Sequence, residues 1–424
     1  MRTKLWALVA VVLTLGACTQ ELPVTDEGSR SEPSDLRSDV LLIQGENGPV
    51  AVRASTGRVF FDASGALPSP DGSIWYATSH APGLTHVETV DAASGRVLHR
   101  TALDGELAVR VASGTGRALA LTEPSRDGLL PAPRARTPIV IADPTDSSEP
   151  RRYVLQGNFE PEAFSVNDRS LFLIQHLPAL APAVYRVTVL DLASGEVSPI
   201  RGRFDAPPEQ MAGTRLGQIW GRDARQLYTL YSSERPSYAQ PATSLDLEHP
   251  GVSFIHVLDA RDGWAFCVTL PDAMRHHSSR GLVMASAPDG RHLYLVDAMT
   301  GVVAVVDLEA LLVTRYGSAL KVAPGSEATL RPSALVSTDG QTLFVGGIND
   351  WGLVAIDTST LRLTDSLIPD GAVSGLGSSS DGARLYASML DRVAVLDANS
   401  GDEIGSVPFL GADEIMGVLT AARG

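Results

Sequence analysis

The sequence predicts an all-β protein that forms a single β-propeller of eight four-stranded blades, with seven blades as the alternative. Three observations predict this fold. Short strand-like segments recur through most of the 424 residues, and Asp-Gly turns separate several of them. The last strand-like segment of the chain belongs to no complete repeat, so it is available to pair with the first one. No helical periodicity interrupts this pattern beyond the N-terminal segments.

The N-terminal segment has the pattern of an export signal. Arg2 and Lys4 make its start basic, and residues 5–17 are almost entirely apolar. This run is shorter than the roughly 20 residues that a membrane-spanning helix needs. We therefore interpret residues 1–17 as a signal peptide that is removed on export.

The end of this signal, Leu15-Gly16-Ala17-Cys18, resembles the lipobox of bacterial lipoproteins. In such proteins the leader is cut before the cysteine, which then carries lipid. The resemblance implies that Cys18 attaches the mature chain to membrane lipid at the bacterial cell envelope, on the outer face of the cytoplasmic membrane or in the periplasm. An ordinary secretory signal followed by an unrelated cysteine is the alternative.

The rest of the chain divides into a tether and one domain. Residues 18–38 are rich in Ser, Glu, Asp and Pro and lack apolar periodicity, which predicts a flexible connection to the lipid. Residues 39–424 carry the repeats, and we predict that they form the propeller, as a monomer.

The net charge limits which partners the protein can bind, and the cysteine content limits which disulfide bonds it can form. The formal charge is −15, and it becomes −17 without the signal, which holds two positive charges and no negative ones. Such acidity opposes binding to nucleic acid and to anionic lipid surfaces. Besides Cys18 the chain has one other cysteine, Cys267, so lipidation leaves no intramolecular disulfide. We expect Cys267, which lies in a β-rich run, to be buried as a small apolar residue.

Each repeat has the pattern of four short strands. In the clearest copy, Leu-Val-Met-Ala-Ser at 282–286 precedes the turn Ala-Pro-Asp-Gly-Arg, and strands follow at 292–296 and 302–307. Asp-Gly supplies the positive φ that tight hairpin turns need. A Ser-Gly or Thr-Gly turn then leads into an outer strand.

The number of copies of the Val-rich strand that ends in Asp gives the number of blades. It recurs at Val87–Asp91, Ile139–Asp143, Val187–Asp191, Ile255–Asp259, Val302–Asp307, Leu353–Asp357 and Val393–Asp397. A degenerate copy at Val50–Arg53 makes eight. Because the seven aspartates share one place in the repeat, we interpret them as turn residues whose carboxylates accept backbone NH groups, and not as a catalytic set.

The two ends of the chain complete each other in this arrangement. The first copy lacks a preceding inner strand, and the C-terminal segment Glu414-Ile-Met-Gly-Val-Leu-Thr supplies an unpaired one. We therefore predict that the C-terminal strand completes the first sheet and leaves no free edge.

The repeat units resemble the YVTN-type β-propeller repeats of bacterial surface and periplasmic proteins. The residues that carry the resemblance are Pro288-Asp-Gly-Arg-His-Leu-Tyr-Leu, Asp381-Gly-Ala-Arg-Leu-Tyr-Ala and the Val-Ala-Val-Leu-Asp strands. The resemblance covers about the last 150 residues well and the remainder loosely. Because that family serves many roles, it implies a scaffold and no particular activity.

Three long loops indicate a binding face. Connections between blades, and between the second and third strands of a blade, emerge on one face of a propeller. The loops at residues 122–138, 176–184 and 232–252 fall there in consecutive blades, so we expect one raised rim. The candidate residues for binding a ligand or partner are Arg134, His176, Arg235, Tyr238 and His249. A structural cover over an apolar patch or over the entrance of the ring is the alternative role for these loops.

A pair of histidines allows a metal site on the same face. His276 and His277 lie between blades, and His249 is a candidate to converge with them on a divalent metal. Adjacent residues of an extended segment point in opposite directions, however, and no third ligand lies at close spacing. We therefore predict a solvated loop and no bound cofactor, with a divalent metal as the alternative.

Two classes of function remain. The chain has no Gly-x-Ser-x-Gly elbow, and Asp262-Gly-Trp264 is a lone partial match to the docking motif of quinoproteins. We therefore predict a non-catalytic cell-envelope lipoprotein that binds a protein, glycan or small ligand. The alternative is an enzyme that uses the central channel, either a metal-dependent, lactonase-like hydrolase or a quinoprotein-like oxidoreductase.

Overall fold

Eight sheets follow one another along the chain and form a ring, which confirms the eight-bladed propeller and shows that the seven-bladed alternative is wrong. The structure is a computed structural model. It describes residues 36–45, 48–62, 65–124, 132–146, 148–203, 210–233, 252–274, 281–322, 331–347, 352–368, 371–409, 411–412 and 414–420. The predicted signal peptide and Cys18 lie outside the described residues.

The described chain begins with a 3-10 helix at Leu36–Ser38 and continues into the first four blades. Blade 1 contains β1 (Asp39–Gly45), β2 (Gly48–Arg53) and β3 (Arg58–Asp62). Blade 2 contains β4 (Leu67–Pro68), β5 (Ile74–Ala81), β6 (Leu84–Asp91) and β7 (Val97–Asp104). Blade 3 contains β8 (Ala108–Ala112), β9 (Leu119–Thr122), β10 (Arg136–Ala142) and β11 (Arg151–Gln156). Blade 4 contains β12 (Asn158–Phe164), β13 (Ser170–Leu177), β14 (Val184–Asp191) and β15 (Val197–Pro199).

The second half of the ring has the same order, with one added strand. Blade 5 contains β17 (Thr214–Trp220), β18 (Gln226–Ser233), β19 (Val252–Asp259) and β20 (Trp264–Thr269), and β16 (Arg201–Gly202) pairs in parallel with β20. A 3-10 helix at Asp272–Met274 precedes blade 6, which contains β21 (Leu282–Ser286), β22 (His292–Asp297), β23 (Val302–Asp307) and β24 (Leu312–Ser318). Blade 7 contains β25 (Ser333–Val336), β26 (Thr342–Gly346), β27 (Leu353–Asp357) and β28 (Arg362–Ile368). Blade 8 contains β29 (Gly375–Ser378), β30 (Arg384–Ser388), β31 (Val393–Asp397) and β32 (Glu403–Val407), and the last strand is β33 (Glu414–Thr420).

The position of a strand within its blade determines its burial. First strands of neighbouring blades contact each other, as β25 contacts β21 and β29, and so they surround the ring axis. The Val-rich strands are the third strands and are buried, whereas a fourth strand such as β28 is mostly exposed. The apolar core therefore lies between the faces of adjacent blades.

The predicted turns are present in the structure. In blades 2, 6, 7 and 8, Asp-Gly joins the first strand to the second, and Gly290 and Gly382 adopt φ values of 67° and 72° there. At the end of the third strand, the Asp397 carboxylate accepts the backbone NH groups of Asn399 and Ser400, both at 2.9 Å. Equivalent bonds occur at Asp91, Asp143, Asp191, Asp259, Asp307 and Asp357. These aspartates are thus turn residues, as the sequence predicts.

The C-terminal strand closes the ring. β33 pairs antiparallel with β1, and the register runs from Asp39 opposite Thr420 to Gln44 opposite Glu414. Blade 1 consequently has the order β3-β2-β1-β33, with the last strand of the chain innermost. At Gly375, a Cβ atom would lie 2.5 Å from the backbone nitrogen of Ile415, so only glycine lets blade 8 approach β33 so closely.

A buried ion pair also crosses the junction between blade 8 and blade 1. The Asp39 carboxylate accepts hydrogen bonds from Nε of Arg384, at 3.0 Å, and from the hydroxyl of Tyr386. Asp39 and Arg384 are both buried, and Arg384, which also lies 3.7 Å from the exposed Asp381 carboxylate, compensates the charge of Asp39.

Polar groups also lie within the core of blade 5. Cys267 is buried, as predicted from sequence, and its Sγ atom lies 3.7 Å from Nδ1 of His256. Burial lowers the pKa of His256 to about 4. This imidazole is therefore neutral in the folded protein at neutral pH.

The described residues include no helix that is long and apolar enough to cross a bilayer.

Deleting residues 414–424 should abolish cooperative unfolding or cause aggregation. The deletion removes β33 and leaves the backbone groups of β1 without partners. Each buried unsatisfied group costs about 1–3 kcal/mol, against a total stability of about 5–15 kcal/mol. Thermal unfolding followed by circular dichroism tests this. Deletion of residues 421–424 alone is the control and should leave the transition unchanged, and equal stability of both truncations would show that β33 does not close the ring.

His256→Gln should reduce the acid sensitivity of the fold. Because the pKa of His256 falls from about 6.5 in the unfolded chain to about 4 in the folded one, its stabilising effect is complete above the unfolded value and is lost as pH falls toward 4. Between pH 7 and pH 5, this effect of His256 lowers the free energy of unfolding by about 2 kcal/mol. Urea unfolding of both proteins at the two pH values measures it. An identical pH dependence in the variant would contradict the assignment.

Candidate functional site

The three long loops emerge from consecutive blades at one end of the propeller, which we call the loop face. They connect the second and third strands of blades 3, 4 and 5 and occupy residues 123–135, 178–183 and 234–251. Residues 125–131 of the first loop and the whole of the third loop lie outside the described residues, and with the third loop Arg235, Tyr238 and His249. His276 and His277 also lie outside them. The proposed roles of these five residues stay predictions.

The structure brings the other two candidates, Arg134 and His176, close together. The backbone NH of Arg134 donates to the carbonyl of Ala179 at 3.1 Å, which ties the loop of blade 3 to that of blade 4. Burial, together with the nearby Arg134 guanidinium, lowers the pKa of His176 to about 4. His176 is thus a neutral group at neutral pH. The structure does not test whether either residue binds a ligand.

His176 belongs to a row of three side chains that crosses blade 4 at the loop face. It is paired with Asn158 on one neighbouring strand and with Tyr185 on the other. The rings of His176 and Tyr185 lie 6.0 Å apart, and those of Tyr185 and Tyr231 lie 5.4 Å apart. Burial and the Tyr231 hydroxyl hold the pKa of Tyr185 well above its usual range, so this phenol stays protonated.

Charged groups from three neighbouring blades meet beside this row, on strands next to the ring axis. Arg110 of β8 donates from both Nε and Nη2 to the Glu160 carboxylate of β12. Nη1 of Arg134 lies 3.8 Å from the other oxygen of the same carboxylate, which is too long for a hydrogen bond. Glu160 therefore lies within 4 Å of two arginines and is hydrogen-bonded to one of them, Arg110.

Glu162, two residues further along β12, faces blade 5. Nη1 of Arg215 lies 3.5 Å from one carboxylate oxygen, and Nε2 of Gln218 donates to the other at 2.6 Å. Burial raises the pKa of Glu162, while Arg215 and Gln218 oppose that shift.

The three guanidinium groups are close enough to influence one another. Burial lowers the pKa of Arg110, and the positive charges of Arg134 and Arg215 lower it further. We call these three arginines, with Glu160 and Glu162, the arginine cluster. With both carboxylates ionised, it carries one positive charge in excess, within a chain of net charge −15.

Three buried polar atoms at this site have no hydrogen-bond partner among the described residues: Nη1 of Arg134, Oδ1 of Asn158 and the hydroxyl oxygen of Tyr185. The Arg134 side chain is 9% exposed and Asn158 is fully buried. A buried polar atom without a partner costs about 1–3 kcal/mol, and native structures contain few of them. A bound molecule that supplies partners for these atoms would recover this cost.

Sequence reasoning missed Arg110, Glu160, Glu162 and Arg215. A signal was present, because Asn-Phe-Glu-Pro-Glu-Ala-Phe of β12 and Ala-Val-Arg-Val-Ala of β8 place charges within first strands. The equivalent strands β25 and β29 contain only small or apolar residues. A charge on a first strand lies near the ring axis, and so it indicates a site and not an ordinary solvated surface.

Within the part of the chain that the structure describes, no group of three His, Cys, Asp or Glu side chains is arranged to hold a metal ion. The carboxylates of the arginine cluster instead face arginines and Gln218.

A separate cavity of about 680 Å³ lies between blades 5 and 6 at the opposite end of the propeller. Its walls include Trp264, Arg203 and Arg222. Protein carbonyls already accept bonds from these arginines, since Arg203 donates to Glu309 at 3.2 Å and Arg222 donates to Pro288 at 2.5 Å. Unpartnered buried polar atoms also occur elsewhere, for example Nε of Arg225, but those of Arg134, Asn158 and Tyr185 lie together at the loop face, which is why we place the candidate site there.

Comparison with protein-family models and with curated proteins finds no match. Among solved structures, the chain is similar to dihydro-heme d1 dehydrogenase NirN in complex with DHE, with a TM-score of 0.52 and 16% sequence identity, over 92% of this chain and 76% of that chain. It is also similar to apo AztD from Citrobacter koseri, with a TM-score of 0.52 and 11% identity, over 91% of this chain and 98% of that chain. At these identities the similarity shows the fold alone, which is the eight-bladed β-propeller.

Proposed function

We propose that this protein is a non-catalytic binding propeller of the bacterial cell envelope, and that its ligand or partner binds at the loop face over blades 3 to 5. The observation that carries the proposal is the group of unpartnered buried atoms at this face, which are Nη1 of Arg134, Oδ1 of Asn158 and the hydroxyl oxygen of Tyr185. Binding sites commonly hold polar groups whose partners arrive with the ligand, at a cost to the stability of the free protein.

The way the charges are paired supports binding over the alternative of a metal-dependent hydrolase. Such a hydrolase needs carboxylates that are free to ligate a metal. Here Glu160 accepts bonds from Arg110, and Glu162 accepts one from Gln218. The two carboxylates therefore position cations and amides around the site.

The position of the loops also supports the proposal. Nδ2 of Asn158 donates to the carbonyls of Ala132 and Ala179, which belong to the loops of blades 3 and 4. One side chain of the first strand thus holds the described ends of both loops, at Ala132 and Ala179. Loops held on a rigid scaffold are the usual location of binding residues.

The proposed location rests on Cys18. Export and lipidation at this residue would tether the propeller to membrane lipid through residues 18–38, with the ring free to meet envelope proteins or small ligands.

The double substitution Tyr238→Ala and Arg235→Ala should separate binding from folding. Both residues belong to the loop of blade 5, where aromatic and arginine side chains are common anchors of interfaces. We expect the thermal transition to stay within a few degrees of the parent and the species bound to the native protein to be lost. Native mass spectrometry of protein purified from its own membranes detects that species.

The matched control for this test is Arg222→Ala with Arg291→Ala, two exposed arginines at the opposite end of the propeller. The control should retain the bound species. Retention by the loop variant, or its loss from the control alone, would show that the loop face is not the binding surface.

Cys18→Ser should stop lipid attachment. We expect incorporation of labelled palmitate into the parent protein and none into the variant, which should accumulate uncleaved or in soluble form. Equal incorporation in both proteins, or unchanged membrane association of a lipid-free variant, would refute the anchor.

A further inference from the structure

We infer that the site beneath the loop face takes a small carboxylate that also carries a hydrogen-bond donor, such as a hydroxy acid or an amino acid. The inference rests on the proposed function, because it names the ligand class of that same site. It follows from the unmet donor of Arg134, the unmet acceptor of Asn158 and the charge around them.

The unmet donor belongs to an arginine, which suits a carboxylate. The guanidinium fork of arginine matches the geometry of a carboxylate, and it stays charged when buried. Glu160 shows that carboxylates are accommodated here, since it accepts two bonds from Arg110. Nη1 of Arg134 is 3.8 Å from the same carboxylate and so retains the capacity to donate to a ligand.

The unmet acceptor is an oxygen of fixed orientation. Nδ2 of Asn158 donates to Ala132 at 3.0 Å and to Ala179 at 3.2 Å. A flipped amide would place its oxygen against these two carbonyls, so Oδ1 must point away from them. Oδ1 then needs a donor, which a bare carboxylate or phosphate at neutral pH does not supply.

The unmet atoms of Arg134 and Asn158 belong to one site. The backbone NH of Arg134 and Nδ2 of Asn158 donate to the same carbonyl, that of Ala179. Nη1 of Arg134 lies 3.8 Å from Glu160, which is two residues from Asn158 on β12. We therefore place one small molecule at both atoms, with its carboxylate at Arg134 and its hydroxyl or amino group at Asn158.

The charge of the site favours a carboxylate over a phosphate. With Glu160 and Glu162 ionised, the arginine cluster has one positive charge in excess, and His176 adds none at neutral pH because its pKa is about 4. A carboxylate carries one negative charge, whereas a phosphate group carries about 1.5 to 2. One carboxylate thus neutralises the site, and a phosphate would leave it negative.

Titration calorimetry of the full mature chain with lactate, propionate and inorganic phosphate tests the inference. Lactate and propionate differ only in the hydroxyl group, which would donate a hydrogen bond to Oδ1 of Asn158. We expect lactate to bind about 3- to 10-fold more tightly than propionate, which is the effect of one hydrogen bond, and phosphate to bind more weakly than lactate.

Variants of the arginine cluster identify the site of binding. Arg134→Gln should weaken lactate binding by about tenfold or more, because a charge-assisted bond is lost. Glu160→Gln should increase the affinity for lactate, because it removes the negative charge that competes with the ligand for Arg134. If Glu160 had only a structural role, this substitution would not increase the affinity. Arg134→Lys keeps the positive charge but lacks the planar guanidinium group, and it replaces Arg134→Gln in this test if that variant does not fold. Arg222→Gln at the opposite end is the control and should bind as the parent does.

The contrary results are distinct. Propionate binding as tightly as lactate would refute the role of Asn158, and phosphate binding more tightly than lactate would refute the carboxylate class. If none of the three probes binds, but Arg134→Gln loses the species that co-purifies with the native protein, the inference fails and the proposed function stands. If Arg134→Gln and the Tyr238/Arg235 loop variant both retain that species, both proposals fail.

Discussion

The antiparallel pairing of β33 with β1 is the contact on which the rest of the molecule depends, because it joins residues 39–44 to residues 414–420 and turns a row of sheets into a ring. A row would expose the edge of β1, with its unpaired backbone groups. The buried bonds from Arg384 and Tyr386 to Asp39 add a polar contact that crosses the same junction. Closure thus fixes where each first strand lies around the axis.

That constraint brings together charges that are far apart in sequence. Arg110, Glu160 and Arg215 belong to the first strands of blades 3, 4 and 5, which a closed ring holds side by side. Arg134 reaches the same place from a loop, because Asn158 binds the carbonyls of two loops. The donors and acceptors are therefore preorganised before a ligand arrives, which reduces the ordering cost of binding.

The repeat and its turns could be predicted from sequence because they are local. Asp-Gly and the terminal aspartates satisfy backbone groups within a few residues of themselves, so each copy carries its own signal. Even the weak copy at Val50–Arg53 is a third strand, namely that of blade 1. The site was not predictable in the same way, because the meeting of Arg110 with Glu160 depends on how blades pack. Sequence reasoning found the loop residues Arg134 and His176 and overlooked the strand residues beneath them.

The most direct measurement is a crystal structure of the protein grown with lactate at saturating concentration. The account predicts one ordered lactate between blades 3 and 4, with its carboxylate within hydrogen-bond distance of Nη1 of Arg134 and its hydroxyl donating to Oδ1 of Asn158. A structure in which both atoms are bonded to residues of the protein itself, with lactate absent from the loop face, would contradict it.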